Sequence, residues 1–286
     1  MIRFLDRLAR PIVFKCMVGA RAMGISIPNK FSRHLHYKGV VHVPLENNRS
    51  FKMKSYGHSI ENRLYWYGKL GHEPETFIPW LRAASSANVV LDIGANTALY
   101  SLGAAGQNSN VKVFAFEPLP RVAALARTNV ELNSGFDITI CQNAVSDESG
   151  QATLHDPGGD QPASASLRSD FLGGEQDAVT VEAVRIDDFV RKQNLESVDL
   201  IKLDVEGIEE LALRGMRETI ERFKPTLFIE VLDGRPELMK ELLFLVELGY
   251  EVGDLTEEGV VALKLDNSKG KERNLLFTMD LSKFQS

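Results

Sequence analysis

The stretch Ile201-Lys202-Leu203-Asp204-Val205-Glu206-Gly207 sets one lysine and two acids at alternate positions of an otherwise strand-like run. Side chains of an extended chain alternate between faces, so Leu200, Lys202, Asp204 and Glu206 share one face for as long as extension persists. A central parallel strand is normally apolar on both faces. Burying a lysine and two carboxylates there is costly unless they pair with one another or face a cleft. The carboxyl ends of such strands are where α/β proteins bind ligands. Asp204 is therefore the candidate catalytic group, as a general base or as a ligand for a divalent ion. Lys202 would hold it ionised by proximity, and Glu206 would add negative charge. Glu230, near the end of the next strand-like run Thr226 to Val231, is the alternative base. Oxygen-only ligands suit Mg²⁺ rather than zinc. With two acids and no clear third ligand in the pattern, the base is preferred and no metal site is assigned. The competing reading is a buried lysine–acid cluster with a purely structural role.

A second constellation lies upstream. In Val89-Val90-Leu91-Asp92-Ile93-Gly94-Ala95-Asn96 an apolar run leads into an acid, a glycine and two small residues. The run reads as a buried parallel strand, the glycine as a tight turn open to close approach of a ligand. Residues 98–105 read as a helix whose first N–H groups point back at that turn. The next strand pattern, Val111 to Phe116, ends at Glu117-Pro118. An acid about 20 residues beyond the glycine turn suits the two hydroxyls of a ribose. A dinucleotide site would call for G-x-G-x-x-G after the first strand. A single glycine preceded by an acid better suits a ligand with an amino group and no pyrophosphate, which is S-adenosylmethionine. A third strand, Asp137 to Gln142, leads to Asn143-Ala144-Val145-Ser146, where Ala144 and Val145 would frame an adenine ring.

Four of these strings together resemble the class I methyltransferases, and within them the FkbM-type family. They are Asp92-Ile93-Gly94-Ala95-Asn96 with Tyr100-Ser101, Phe116-Glu117-Pro118, Asn143-Ala144-Val145-Ser146, and the stretch from Ile201 to Gly207. The resemblance runs from about Glu73 to Val252, through motifs in the family's order. It implies a seven-stranded, mainly parallel Rossmann-like methyltransferase sheet with helices on both faces. It also implies S-adenosylmethionine as cofactor and a hydroxyl of a sugar, glycan or natural product as methyl acceptor. Cofactor-binding positions carried over are Asp92, Gly94, Ala95, Asn96, Tyr100, Ser101, Glu117, Pro118, Asn143, Ala144, Val145 and Asp204. One departure stands out: the family usually has a second glycine where this chain has Ala98. Alanine is a good helix former, so Ala98 is expected to be tolerated at the helix start. A catalytically silent cofactor-binding module is the alternative that Ala98 keeps open. An NAD-dependent oxidoreductase would share the sheet but lacks the glycine fingerprint.

Composition frames these readings. The chain has 286 residues, 44% hydrophobic and 25% charged, ordinary for a globular protein that buries a core without disulfides or structural metal. Thirty-three basic against 39 acidic residues leave a net charge of −6, which argues against broad nucleic-acid binding. Cys16 and Cys141 form no paired motif, and His34, His36, His42, His58 and His72 lack metal-ligand spacing. Residues 1–72 read as an N-terminal α+β extension, a helix and a β-hairpin around Glu46-Asn47-Asn48, ahead of a methyltransferase domain over 73–286. The basic segment from Met1 to Met23 reads as a helix packed on the domain or frayed in solvent. A weak membrane-surface contact is its alternative, and its apolar run is too short to span a bilayer. No signal-peptide cleavage pattern follows it, so a cytoplasmic setting is expected. Helices are expected over Glu209 to Glu221 and Pro236 to Glu247, and strands over Tyr250 to Leu255 and Asn274 to Met279. The Gly/Ser/Asp-rich stretch Asp156 to Gln176 reads as an acceptor-binding loop.

Overall fold

The computed structural model describes residues 9–25, 27–156, 158, 177–231, 235–265 and 273–285. The chain divides into two compact units, Met1–Pro74 and Glu75–Ser286. The first holds helices α1 (Ala9–Ala22), α2 (Asn29–Ser32) and α3 (Ser59–Tyr67) and an antiparallel hairpin, β1 (Gly39–Pro44) with β2 (Ser50–Ser55). Asn47 and Asn48 turn the hairpin with φ of 55° and 58°, a region that asparagine enters at low cost. Strand alternation buries Val41, Val43, Phe51 and Met53, while Tyr37 stacks on Tyr65 of α3. Among the described residues no helix is long and apolar enough to cross a membrane.

The second unit opens with α4 (Pro74–Ala84) and continues β3 (Val89–Ile93), α5 (Leu99–Gln107), β4 (Lys112–Phe116), α6 (Pro120–Glu131), β5 (Asp137–Cys141) and β6 (Ala144–Val145). After β7 (Gly150–Asp156) and β8 (Asp177–Val184) come α7 (Ile186–Lys192), β9 (Leu200–Leu203), α8 (Glu209–Arg214) and α9 (Arg217–Phe223). The unit ends with β10 (Thr226–Val231), α10 (Pro236–Glu247), β11 (Glu251–Thr256), β12 (Gly259–Ala262) and β13 (Arg273–Thr278).

The main sheet has the order β12-β11-β13-β10-β9-β3-β4-β5. Strands β5, β4, β3, β9 and β10 pair in parallel, and β13 enters antiparallel between β10 and β11. This is the expected mainly parallel sheet with an eighth strand added. The extra strand, β12, folds back on β11 as a hairpin. Its four residues carry too short a pattern to register as a strand in the sequence. Leu91, Ile93, Ile201, Leu203, Leu227 and Ile229 point to one face and form the main core with residues of α7, α8, α9 and α10. The opposite face carries α4 and α5, where Trp80 meets Phe228 edge-on and Phe77 meets Tyr100. Helices therefore cover both faces, as expected.

Two local expectations change. The single helix over Glu209 to Glu221 is two, α8 and α9, interrupted at Gly215-Met216. The Gly215 backbone lies against the Ser146 carbonyl, where any Cβ would collide, and the Gly215 carbonyl accepts the Asp187 amide at 3.0 Å. On either side of the stretch Asp156 to Gln176, β7 and β8 pair with each other and β8 with β6 in a separate three-stranded sheet, β6-β8-β7. Apart from Asp156 and Gly158, the expected acceptor-binding loop lies outside the described residues.

The second concerns Ala98, which is not part of the helix. It precedes α5 at φ 68°, ψ 31°, in the left-handed region, with its side chain fully buried. An L-residue pays about 1–2 kcal/mol there, a cost that glycine avoids. Glycine costs about 0.5–1 kcal/mol more chain entropy on folding, so Ala98→Gly is expected to raise stability by about 0.5–1 kcal/mol. Urea unfolding of the two proteins measures this; a less stable Ala98→Gly protein would mean that buried methyl contacts outweigh the backbone strain.

Candidate active site

The turn between β3 and α5 is closed from within. Asp92, on the α5 side of the sheet, accepts the Ser101 amide at 2.9 Å and the Ser101 hydroxyl at 2.6 Å. The acid before the glycine thus satisfies one of the N–H groups at the start of α5 that have no partner within the helix. Burial pushes the Asp92 carboxyl up to about 6, against the pull of the Ser101 hydrogen bonds and the Lys202 charge. Gly94 and Ala95 both donate their amides to the Phe116 carbonyl, at 3.0 and 2.9 Å. Gly94 has φ 82°, and a Cβ on it would run into the Asp204 carbonyl oxygen. Its missing side chain therefore lets β9's own backbone close in, the role that the sequence reading gave to a ligand. Tyr100 is packed between Phe77 and Trp80, and its ring faces the Lys202 ammonium at 5.1 Å.

Glu117 reaches across from the end of β4. Its Oε2 accepts the Asn96 amide at 3.0 Å and its Oε1 the Leu119 amide at 2.9 Å. Burial raises this carboxyl to about 7, with the two backbone amides pulling it back. Each carboxylate oxygen keeps a further lone pair for a hydroxyl donor. Beside it, the Oδ1 of Asn96 is buried and has no hydrogen-bond partner. A fixed carboxylate and an unsatisfied amide oxygen at the carboxyl edge fit a ribose and a further donor, as S-adenosylmethionine presents. Pro118 and Asn143 are half-buried next to this edge. Ala144 lies in a small apolar cluster with Leu119 and Val122, and Val145 in the main core, so their side chains serve packing as well as the expected adenine rim.

The charged strand end comes together differently from the sequence expectation. Lys202 is 1% exposed, and its ammonium lies 3.0 Å from Asp204 Oδ2. In register it sits between Asp92 of β3 and Phe228 of β10. Strand β9 ends at Leu203, so alternation does not carry Glu206 to this face. Glu206 takes φ 54° and Gly207 φ 99°, and this tight turn, not extension, brings Glu206 back. Carboxylate oxygens of Asp204, Glu206 and Glu230 lie within 4.8 Å of one another. Glu230 is thus the third acid that the β9 pattern alone did not contain. Of the expected catalytic residues, all four meet at the ends of β9 and β10.

Two residues that the sequence reading passed over hold this turn. Glu209 is fully buried; its Oε1 accepts the Gly207 amide at 2.9 Å, and its Oε2 pairs with Arg235. Arg235 also pairs with Glu210 and precedes α10. It therefore ties the chain after β10 to the turn after β9. Glu209 had a signal, an acid in the first turn of a helix; Arg235 had none, because its partners lie 25 and 26 residues away.

Comparison with known proteins agrees with these motifs. The family model described as the methyltransferase FkbM domain matches residues 92–252. The 2-O-methyltransferase NoeI of Sinorhizobium fredii is 33% identical over 145 residues, covering 46% of this chain and 58% of that protein. The 31-O-demethyl-FK506 methyltransferase FkbM of Streptomyces tacrolimicus is 30% identical over 159 residues, covering 46% of this chain and 60% of that protein. The chain thus spans less than two thirds of either relative. Among solved structures, a methyltransferase FkbM from Methylobacillus flagellatus is 20% identical with a TM-score of 0.44, covering 67% of this chain and 43% of that one.

Glu117→Ala should weaken S-adenosylmethionine binding by about 2–3 kcal/mol in titration calorimetry. Binding to the parent should also weaken as the pH falls through about 7, because protonation removes the charged acceptor; pH-independent binding would remove Glu117 from the site. Arg235→Leu strands a fully buried carboxylate and should cost about 3 kcal/mol of stability. Adding Glu209→Gln should recover part of that loss in denaturant unfolding, and no recovery would mean that the pair is not coupled.

Proposed function

The chain belongs to the FkbM family of S-adenosylmethionine-dependent methyltransferases, and from that premise we propose that it methylates a hydroxyl oxygen of a small molecule or sugar, with Asp204 as the base. The observation that carries this reading is the Lys202–Asp204 pair set against the Gly94 turn at the carboxyl edge of the sheet. Two relatives, a 2-O-methyltransferase and a 31-O-demethyl-FK506 methyltransferase, support oxygen as the acceptor atom.

Bound S-adenosylmethionine supplies a methyl group already activated by its positively charged sulfur. Glu117 and Asn96 hold the ribose side, while Asp92 and Ser101 keep the turn in shape. Gly94, Ala95, Tyr100, Pro118, Asn143, Ala144 and Val145 complete the proposed cofactor surroundings. A hydroxyl is a poor nucleophile near neutral pH, so a positioned carboxylate that takes its proton lowers the barrier. Asp204 is 29% exposed at its side chain, open enough to meet an acceptor. In the proposed step its carboxylate would accept the hydroxyl proton while the acceptor oxygen takes the methyl carbon and the carbon–sulfur bond breaks, the electron pair leaving with the sulfur as a neutral thioether. Lys202 supports the ionised form from behind, and Glu206 lines the same opening. The nicotinamide alternative falls with the family assignment.

Asp204→Asn keeps the side-chain shape and removes the charge. Transfer of labelled methyl to a panel of hydroxylated sugars and macrolides should fall ~10²–10⁴-fold, while cofactor binding stays near that of the parent. Undiminished transfer would eliminate Asp204 as the base. Loss of folding would favour a structural role for the lysine–acid cluster.

A further inference from the structure

Glu230 lies on the sheet face opposite the main core. Its register partner on β13 is Asn274, and the preceding Ile229 pairs with Leu203 of β9, which brings Glu230 level with Asp204. Three carboxylates within 4.8 Å repel one another unless a cation or a proton intervenes. Two observations favour the proton. The Oε2 of Glu230 is buried without a hydrogen-bond partner, a costly placement for a charged oxygen and a much cheaper one for a neutral acid. The ammonium of Lys202 already flanks Asp204 at 3.0 Å, where it would repel a second cation.

From this geometry we propose that Glu230 carries a proton at neutral pH and shares it with Asp204, making Glu230 a neutral positioning residue and Asp204 the ionised member of the pair. The inference rests on the reading of Asp204 as base and deepens it, since a protonated Glu230 is not a second base. Its O–H donates toward Asp204, orienting that carboxylate and removing one negative charge from the cluster. The ionisable groups facing it are Asp204, Glu206 and Lys202, all from β9 and the turn after it; Asn274 from β13 is uncharged. Burial, then the Asp204 charge and the hydrogen bond with Asp204, push Glu230 up to about 10.

The test uses the full chain without cofactor or acceptor. Infrared spectra at about pH 8.5, where Asp92 and Glu117 are mostly ionised, should show a protonated-carboxyl band that disappears in Glu230→Gln. The pH dependence of stability has a definite sign. The folded value lies above the ordinary 4.5, so the native state holds the extra proton between about 4.5 and 10, and this group's contribution falls as pH rises through that window. The Tm of Glu230→Gln should therefore gain on that of the parent from pH 5 to pH 9. Magnesium chloride alone, titrated into the parent by calorimetry, should give no binding isotherm. In the methyl-transfer assay Glu230→Gln, whose amide can still donate to Asp204, should run about tenfold or more faster than Glu230→Leu, the order of one hydrogen bond to a charged group. No protonated-carboxyl band, a Tm difference flat with pH, or a magnesium isotherm would each overturn the proposal. If the band is present but Asp204→Asn transfers methyl normally, the shared proton stands and the assignment of the base fails.

Discussion

One buried ammonium constrains the centre of this sheet. Lys202 is 1% exposed on a strand flanked on both sides by other strands, where an unpaired charge would not be tolerated. Three neighbours on its face answer to it. Asp204 pairs with it at 3.0 Å, Tyr100 turns its ring toward it at 5.1 Å, and Asp92 lies beside it in register and feels its charge. Through Asp92 the same constraint reaches Ser101 and the start of α5. The proposed cofactor turn and the proposed base are thus two ends of one electrostatic arrangement.

Backbone strain concentrates at the same edge. Asn96, Ala98 and Glu206 all have positive φ, at 48°, 68° and 54°, conformations that non-glycine residues adopt only when the surroundings over-determine them. Here the surroundings are identifiable. Glu117 grips the Asn96 amide, Ala98 donates its own amide to the Ala95 carbonyl at 2.7 Å, and Glu209 grips the Gly207 amide next to Glu206. Glu209 is held in turn by Arg235. The carboxylates gathered at the ends of β9 and β10 are held by turns that are themselves clamped, which suits a site that must hold its geometry before the substrate arrives.

The divided helix and the small sheet serve the same end. Gly215 lets α8 give way to α9 while its backbone packs on the Ser146 carbonyl just after β6. This contact joins the turn after the third parallel strand to the helices that follow β9. Leu119, Val122 and Ala144 pack with Leu154 and Val181 beneath that turn, so the strand end that carries Asn143 is supported by its own apolar cluster.

Much of this was readable from the chain. The continuous apolar runs of β3, β4 and β10 and the amphipathic α10 appear where the pattern places them, because each buries a face whose period is local. The identity of the charged residues was readable for the same reason: a lysine and acids in an apolar strand cannot be explained by packing alone. What the sequence did not contain was adjacency. Alternation put Glu206 on the Asp204 face by extension, whereas a left-handed turn does so. Ala98 looked like the first residue of a helix and is instead the strained residue before it. Glu230 became part of the cluster only because β10 pairs with β9 in one particular register, and Arg235 reached Glu209 only once both loops lay at one sheet edge. Periodicity is a property of neighbours in sequence, so the sequence determines faces; register and loop closure join distant residues, so tertiary structure alone decides which charges meet.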